Sequence, residues 1–382
     1  MTYNLRSRKR IRCSTPGIEI PPQQEAARTV RTSLPSFPVE LLLEIFSYWP
    51  SIPISRPDSP ALFPNIYLER TRTLQALTQT CSSLRAILLP LAWQNLEACS
   101  CSHLPPSRPT PSLAGKYGNE VMTELLRQAE IVTIRNPTLA IYVQTVSVTL
   151  TKIHATQVFE EFARCLSLLP NVKTLQIFGL GFEGAETKLS RAFASVILPS
   201  VRVLAVPREG VALFSSVPNV RDITFLAHNH TYHTEYCARS VARHFPHIER
   251  LRFRGSLVAT NLDRLTHKLP ELRELGPVGL DYYVPMSRHR GIVPLTSLEC
   301  LSRLEKIHVL YLTINGYGGG GTQDLSLYRE HIRLVKEILR QAPAQKQELK
   351  KVVVRYPGST QVYIGKGVES LEEAVDNNST ME

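Results

Sequence analysis

The chain has 382 residues, 43% of them hydrophobic, with 44 Lys and Arg against 33 Asp and Glu and a net charge of +11 at pH 7. This length and hydrophobic fraction allow two or three domains with a buried core, and they exclude a wholly disordered or fibrous chain. The longest apolar run, from Ala86 to Trp93, is far shorter than the ~18 residues of a membrane-spanning helix, so no membrane partner is expected.

Residues 1–33 are predicted to form a disordered basic tail. Residues 1–31 hold seven basic and two acidic side chains, and the basic run from Arg6 to Arg12 shows no hydrophobic periodicity. No apolar segment follows these charges, so we expect no secretory signal, and the seven scattered cysteines are expected to be free thiols. The basic run is typical of either a nuclear import signal or a solvated tail, which favours a nuclear or cytoplasmic protein.

The first folding signal is a helix predicted over residues 38–48. Pro38 suits the first turn of a helix, where a missing N–H costs nothing, and Glu40 complements the positive helix end. One apolar stripe is expected to face the core, and its members are Val39, Leu42, Leu43 and Phe46. A second stripe beside it consists of Leu41, Ile45, Tyr48 and Trp49. A small helical domain cannot bury both stripes, so the second must be covered by the rest of the chain or by a partner.

A second helical pattern runs from Leu74 to Leu91, with apolar residues at helical spacing and Pro90 near its end. Between the two patterns, residues 50–70 carry five prolines and are predicted to form an inserted surface loop. Chain entropy tolerates such an insertion because the cost of closing a loop grows slowly with its length. A helical connector is expected over residues 97–141.

Residues 34–96 resemble the F-box, the helical module that docks F-box proteins onto the Skp-type adaptor of cullin-RING ubiquitin ligases. The residues that carry the resemblance are Leu34, Pro35, Pro38, Glu40, Leu41, Cys81, Leu84 and Trp93. The resemblance implies six adaptor contacts, namely Leu34, Pro35, Val39, Leu41, Leu42 and Ile45. This segment departs from the family in its proline-rich insertion and in Leu84, which stands where many members have Trp. The alternative is a helical part of the core that binds no adaptor.

From residue 142 onward, one apolar pattern recurs: an apolar residue, two others, an apolar residue, one other and a third apolar residue. The pattern predicts eight strands, at Val143/Val146/Val148, Val172/Leu175/Ile177, Val201/Leu204/Val206, Val220/Ile223/Phe225, Ile248/Leu251/Phe253, Leu272/Leu275/Pro277, Leu304/Ile307/Val309 and Leu349/Val352/Val354. Most of these strands follow a helical stretch that ends at Leu-Pro or a similar breaker. Because so small a unit cannot bury its own apolar face, neighbouring units are expected to stack.

Residues 142–364 resemble the divergent leucine-rich-repeat regions that often follow an F-box, especially in fungal proteins. The resemblance implies an α/β fold in which the N-terminal helical F-box precedes a solenoid, with a curved parallel sheet and helices outside it. The Asn that usually follows each repeat strand is absent, so an ordinary α/β domain stays the alternative. Residues 365–382 carry five acidic side chains and are predicted to form a disordered acidic tail.

Arg250, Arg252 and Arg254 are expected to lie in a row on the outward face of one predicted strand, because alternate residues of a strand share a face. Three guanidinium groups spaced by about 6.6 Å could bind a carboxylate-rich or phosphorylated peptide through bidentate contacts. These residues are therefore the candidate target-binding site. The alternative is a solvated basic strand, because exposed charges are common.

No other pattern predicts a metal, cofactor or catalytic site. His228, His230, His233 and Cys237 lie within ten residues, but their spacing is not that of a structural zinc site, which favours surface histidines. The glycines near residue 318 lack the Gly-Lys-Ser/Thr of a phosphate loop, and no nucleophile elbow or metalloprotease helix is present. We therefore expect neither a cofactor nor enzymatic activity.

Two hypotheses for function follow. In the first, the chain is the substrate-recognition subunit of a Skp-cullin-F-box ubiquitin ligase, in which the F-box holds the adaptor and the repeat region holds an unknown target protein. In the second, it is a nuclear repeat scaffold that binds a protein or, less favourably, nucleic acid without any ligase. The first requires the second apolar stripe to be exposed for a partner, whereas the second requires this chain to cover it.

Overall fold

A computed structural model describes residues 38–50, 52–53, 63, 66–100, 111–226, 231–257, 259–279, 308–313, 333, 350–356, 359–366 and 370–375. Over these ranges the chain is an α/β protein in which helical segments alternate with the strands of a mainly parallel sheet. This confirms the predicted α/β class with a parallel sheet.

Three helices open the described chain: α1 (Val39–Ser47), α2 (Ile66–Leu77) and α3 (Ser82–Ala92). α1 confirms the helix predicted over residues 38–48. The apolar pattern from residue 74 to residue 91 was predicted as one helix, but it is divided between α2 and α3. The break lies at residues 78–80, where the hydroxyls of Thr78 and Thr80 donate to the backbone carbonyls three residues earlier, and Cys81 is extended before α3 begins.

The predicted connector over residues 97–141 is only partly correct. The chain first enters a strand, β1 (Asn95–Ala98), because Leu96 and Ala98 alternate toward the core. So short a strand carries too little periodicity to be recognised from the sequence. Helical structure then follows as expected, in α4 (Pro111–Glu130), a π-helical turn (Ile131–Arg135) and a 3₁₀ helix (Pro137–Tyr142).

Strands and helical segments alternate from residue 145 to residue 279, and four further strands follow in the described chain. The strands are β2 (Thr145–Leu150), β3 (Thr174–Gly179), β4 (Val203–Val206), β5 (Asp222–Phe225), β6 (Arg250–Leu257), β7 (Glu274–Gly279), β8 (Val309–Thr313), β9 (Lys350–Tyr356), β10 (Ser359–Lys366) and β11 (Ser370–Val375). The helical segments are α5 (Ala155–Ser167), α6 (Ala185–Ala192), a 3₁₀ helix (Arg208–Ser216), α7 (Thr231–His244) and α8 (Ala259–Lys268).

The order of the strands in the sheet is their order in the chain. Each strand from β1 to β8 pairs in parallel with the next, whereas β10 pairs antiparallel with both β9 and β11. One backbone carbonyl at each of seven successive strand junctions accepts two amides of the following strand; these carbonyls belong to Gln94, Gln144, Lys173, Arg202, Arg221, Glu249 and Arg273. Because the same hydrogen-bonding arrangement repeats at each junction, successive strands begin at the same level of the sheet.

The recurring apolar pattern predicts these strands well. Seven of the eight predicted triplets coincide with strands, in β2 to β7 and in β9, and every triplet residue of β2 to β6 is buried. The triplet at residues 304, 307 and 309 was wrong, because Val309 is the first residue of β8 and Leu310 faces the core instead. In β7, Pro277 has no N–H for the ladder, and the pairing with both neighbouring strands shifts there.

The prediction of a disordered acidic tail over residues 365–382 is wrong for part of its length. Residues Ser370–Val375 form β11, which pairs with β10 along six residue pairs. Charge counts alone suggested disorder, but a hairpin partner close in sequence supplies the backbone hydrogen bonds. The rest of this tail after Lys366, the tail over residues 1–33, and Leu34 and Pro35 lie outside the described residues.

The core is continuous from the first helices to the sheet. Leu42 and Phe46 of α1, Trp93 after α3 and the apolar faces of the strands belong to one buried cluster. The predicted boundary near residue 96 therefore does not separate two cores. Since fully burying a large apolar side chain contributes about 1.5–3 kcal/mol, the helices and the sheet stabilise each other.

Candidate functional site

α1 exposes apolar side chains on both flanks of its buried residues. Leu42 and Phe46 point into the core one turn apart. Helical spacing places Val39 and Leu43 on one flank and Leu41 and Ile45 on the other, with the exposed Glu44 between the flanks on the outer side. The exposed fractions of five apolar residues there lie between 38% and 79%, namely Val39, Leu41, Leu43, Ile45 and Tyr48. An apolar surface of this kind in a polar environment is a typical docking surface for another protein. We call these five residues the α1 apolar face.

Of the predicted adaptor contacts that the structure describes, some are exposed and one is buried. Val39, Leu41 and Ile45 lie on the α1 apolar face, where a partner can reach them. Leu42 does not, since it is 2% exposed and packs in the core of its own chain, so its assignment as an adaptor contact is corrected. Val39 and Leu43 were predicted to face the core, but both are exposed. Helical spacing alone places them beside Leu42 and Phe46, and the exact rotation of the helix is set by what packs against it.

The proline-rich insertion reaches the sheet, which corrects its prediction as a surface loop. Ile52 and Phe63 are buried against a patch on the polar side of the sheet, formed with Cys99, Phe178, Ala205 and Leu226. The Phe63 ring lies 5.2 Å from that of Phe178 in an edge-to-face contact, and the Phe63 amide donates to the Cys99 carbonyl (2.8 Å). The first half of the polar face is therefore covered by the chain itself.

Two polar side chains on this side of the sheet are buried beneath or beside the insertion. Gln176 and Thr224 are almost fully buried, and the Gln176 amide donates to the Ser147 hydroxyl (2.9 Å) across β2 and β3. Buried polar groups need such partners because an unmet hydrogen bond costs about 1–3 kcal/mol. This part of the sheet is not accessible for target binding in the described conformation.

Glu97 lies where α2 meets β1. Its side chain accepts hydrogen bonds from the hydroxyl of Thr71 on α2 (3.0 Å) and from the amide of Asn95 (3.4 Å). Burial raises the pKa of Glu97 to about 7, although both hydrogen bonds and the nearby Arg70 charge act in the opposite direction. The carboxyl group links the N-terminal helices to the first strand of the sheet.

The candidate target-binding arginines are already engaged with carboxylates. Arg252 donates two hydrogen bonds to Glu274 (2.6 and 3.0 Å), and it lies 3.5 Å from Asp222. Arg250 forms an ion pair with Asp222 at 2.8 Å. Arg254 lies in β6, and nothing further is described of its side chain. The expectation of three free guanidinium groups is therefore wrong for two of them, and these two hold β5, β6 and β7 in register.

The environment of this network is consistent with a structural role. Burial raises the pKa of Asp222, while the neighbouring arginines act to lower it, and the hydrogen bonds to Glu274 raise the pKa of Arg252. A signal in the sequence could have revealed the pairing. When the apolar triplets are aligned, Asp222, Arg250 and Glu274 fall in the same column of three adjacent strands, with alternating charge.

The other predicted features yield no chemical site among the described residues. No group of three or more His, Cys, Asp or Glu side chains is arranged there to hold a metal. Cys237 is a buried free thiol whose pKa is raised to about 12 by burial, and His228 and His230 fall outside the described ranges. Within those ranges no helix combines the length and hydrophobicity needed to cross a membrane.

No protein-family model matches the chain, and no curated protein matches its sequence. Function must therefore be inferred from the surfaces described above.

Proposed function

We propose that the chain is the substrate-recognition subunit of a Skp-cullin-F-box type ubiquitin ligase, which binds the Skp-type adaptor through the α1 apolar face. The observation that carries this proposal is the exposure of Leu41 and Ile45. The ligase hypothesis requires these residues to be exposed for a partner, whereas the scaffold hypothesis requires the chain itself to cover them. Val39 adds a third exposed residue that the F-box resemblance assigns to the adaptor. A stable interface needs such a cluster of apolar anchors at its centre.

We also propose that the sheet is a leucine-rich-repeat-like solenoid. The sequential strand order supports this, because a doubly wound sheet reverses its order at a switch point. The shared carbonyl at seven strand junctions supports it as well. A further repeat feature is a proline four residues before each strand from β3 to β7, at Pro170, Pro199, Pro218, Pro246 and Pro270. Each of these units thus has a proline at the same position in the link that leads into its strand.

In this proposal the chain performs no chemistry. It holds a target protein near the ligase's conjugating enzyme, which raises the effective concentration of the target's lysines and orients them. The insertion covers the polar face around β3 to β5, so the target would bind elsewhere on the sheet or at its edges. Cullin and RING components would join through the adaptor.

The second candidate is a nuclear scaffold of repeats without a ligase. The core shared by α1, α3 and the sheet favours it, because a terminal cap of a solenoid packs in the same way. A cap, however, needs a polar outer face for solubility, and α1 leaves five large apolar side chains exposed beside its polar ones. This difference makes the ligase subunit the better-supported proposal.

Co-purification with the Skp-type adaptor of the host tests the proposal. The test variant is Leu41→Glu, Ile45→Glu, which places two carboxylates on the α1 apolar face without touching the core. The matched control is Leu126→Glu, Ile134→Glu, which puts the same charges on apolar residues that are 38% and 62% exposed on another helical segment. Desolvating a carboxylate in an interface costs several kcal/mol, enough to abolish a micromolar complex.

We expect the wild type and the control to retain the adaptor and the test variant to lose it, with equal melting temperatures for all three. Adaptor binding by none of the proteins, or equal binding by all three, would refute docking through α1. In the first of these cases the scaffold becomes the working description.

A further inference from the structure

The edge of the sheet at which the strands begin carries a row of basic side chains. The three strands β3, β4 and β5 start in line, so the residues before them lie on neighbouring strands about 4.8 Å apart. These residues are Lys173, Arg202 and Arg221, and all three are exposed. The row is therefore positively charged over roughly 10 Å.

The charges in this row are only partly neutralised. Arg221 pairs with Glu249 at 2.7 Å, and the side chain of Arg221 is 61% exposed. Arg202 donates to the backbone carbonyl of Asn219 (3.0 Å), a contact that leaves its positive charge uncompensated. Lys173 forms no ion pair with any residue in the described part of the chain. Like charges on adjacent strands repel each other and destabilise the fold, so an anionic partner bound here would reduce this repulsion.

Exposed apolar residues lie on the same edge. Ile141, Leu168 and Ile197 are 52%, 47% and 60% exposed, and they belong to the links that lead into β2, β3 and β4. Two asparagine side chains join neighbouring links: Asn171 donates to the Ile141 carbonyl (2.7 Å) and Asn219 to the Pro199 carbonyl (2.9 Å). The edge is thus held by hydrogen bonds, which lowers the entropy cost of binding.

We infer that this edge binds an extended acidic segment of a partner protein, with apolar residues between its carboxylates. We define the basic edge as Lys173, Arg202 and Arg221 together with Ile141, Leu168 and Ile197. Guanidinium groups bind carboxylates through paired hydrogen bonds, and the neighbouring apolar residues contact the side chains between them.

The shape and composition of the basic edge favour a peptide segment over other anions. A nucleic-acid backbone would leave the three apolar residues without a partner. An anionic membrane needs a broad basic surface, whereas this row is bounded by uncharged Gln144 on one side and by Glu249 on the other. The inference goes beyond the proposed ligase role and does not depend on it, because the α1 apolar face lies on other elements.

Fluorescence anisotropy with the full chain tests the inference. The probe is a short labelled peptide with four glutamates separated by leucines and flanked by serines, and a second probe has serine in place of each leucine. The charge variants are Lys173→Glu and Arg202→Glu, and the apolar variant is Leu168→Ser, Ile197→Ser. The matched control is Lys152→Glu, the same change at an exposed position after the other end of β2. Phosphatidylserine vesicles and duplex DNA serve as competing ligands.

We expect the wild type to bind the glutamate–leucine probe, with affinity that falls as the ionic strength rises from about 0.05 to 0.3 M. Each charge variant should weaken binding by about tenfold, and the control should bind as the wild type does. The apolar variant should lose the preference for the leucine probe over the serine probe. If Arg202→Glu lowers the melting temperature, Arg202→Gln replaces it, because it removes the charge without adding another.

Binding that is absent, or equal in all variants, would overturn the inference. Stronger binding of vesicles or DNA than of the glutamate–leucine probe would also overturn it and would assign the edge to that ligand.

Discussion

Glu97→Gln should stabilise the protein above neutral pH and leave its stability nearly unchanged below about pH 5. The carboxylate of Glu97 is buried between α2 and β1, where it accepts hydrogen bonds from Thr71 and Asn95. Glutamine has nearly the same shape and keeps a carbonyl oxygen for Thr71. The substitution therefore removes the buried charge with little change in packing.

The size of the effect follows from the pKa of Glu97, which burial raises from 4.5 to about 7. Between these values the folded protein keeps a proton that the unfolded chain has released, so stability falls as the pH rises through this window. Each tenfold change in proton affinity is worth about 1.4 kcal/mol, so ionising the folded protein fully costs about 3 kcal/mol. The Glu97→Gln variant has no carboxylate to ionise at this position, so its free energy of unfolding should not fall in this way as the pH rises.

Urea denaturation followed by circular dichroism at several pH values between 5 and 8 measures the difference in free energy of unfolding. The matched control is Glu124→Gln. Burial acts to raise the pKa of Glu124, but hydrogen bonds from Arg127 and Gln128 outweigh burial and lower it. That carboxylate stabilises the fold throughout this pH range, so its loss should destabilise the protein by a nearly constant amount. A difference for Glu97→Gln that does not grow with pH would refute the reasoning.

Three further substitutions test the packing of the sheet by the same denaturation assay. Phe63→Ala should destabilise the protein by about 3–5 kcal/mol, because Phe63 is buried and anchors the insertion; a change below about 1 kcal/mol would contradict that anchoring. Arg252→Met should cost about 2–3 kcal/mol by leaving buried carboxylates unpaired, and adding Glu274→Met should restore part of the loss; no recovery would argue against the ion pair. Gly276→Ala should cost about 2–4 kcal/mol, since Gly276 has a φ of +153° and an added Cβ would lie 2.4 Å from the Cβ of Tyr311; wild-type stability would contradict this close approach.

The repeated strands could be predicted because their signal is local and periodic. Apolar residues at fixed spacing occupy the buried face of each strand, as Leu175 and Ile177 do in β3. β1, β10 and β11 lack the full triplet, so the sequence pattern missed them. Their pairing depends on a neighbouring strand that the pattern of the segment itself does not specify.

The candidate sites were harder to predict because each depends on contacts between distant residues. The arginines of β6 looked available since their partners, Asp222 and Glu274, lie 28 and 24 residues away from Arg250 in the chain. The insertion looked like a free loop because nothing in its composition marks Ile52 and Phe63 as residues that pack on the sheet. Sequence periodicity describes one element at a time, whereas these contacts join several.

The amino-acid sequence by itself determined the α/β class, the first helix and the recurring strands, because hydrophobic spacing within a segment dictates which face it buries. Only the tertiary structure decided which apolar residues of α1 stay exposed, since both stripes are apolar and each is divided by the way Leu42 and Phe46 pack into the core. It also decided that Arg250 and Arg252 are paired and that the starting edge of the strands is left basic. Charge pairing across strands depends on register, and register is set by the packing of the whole sheet.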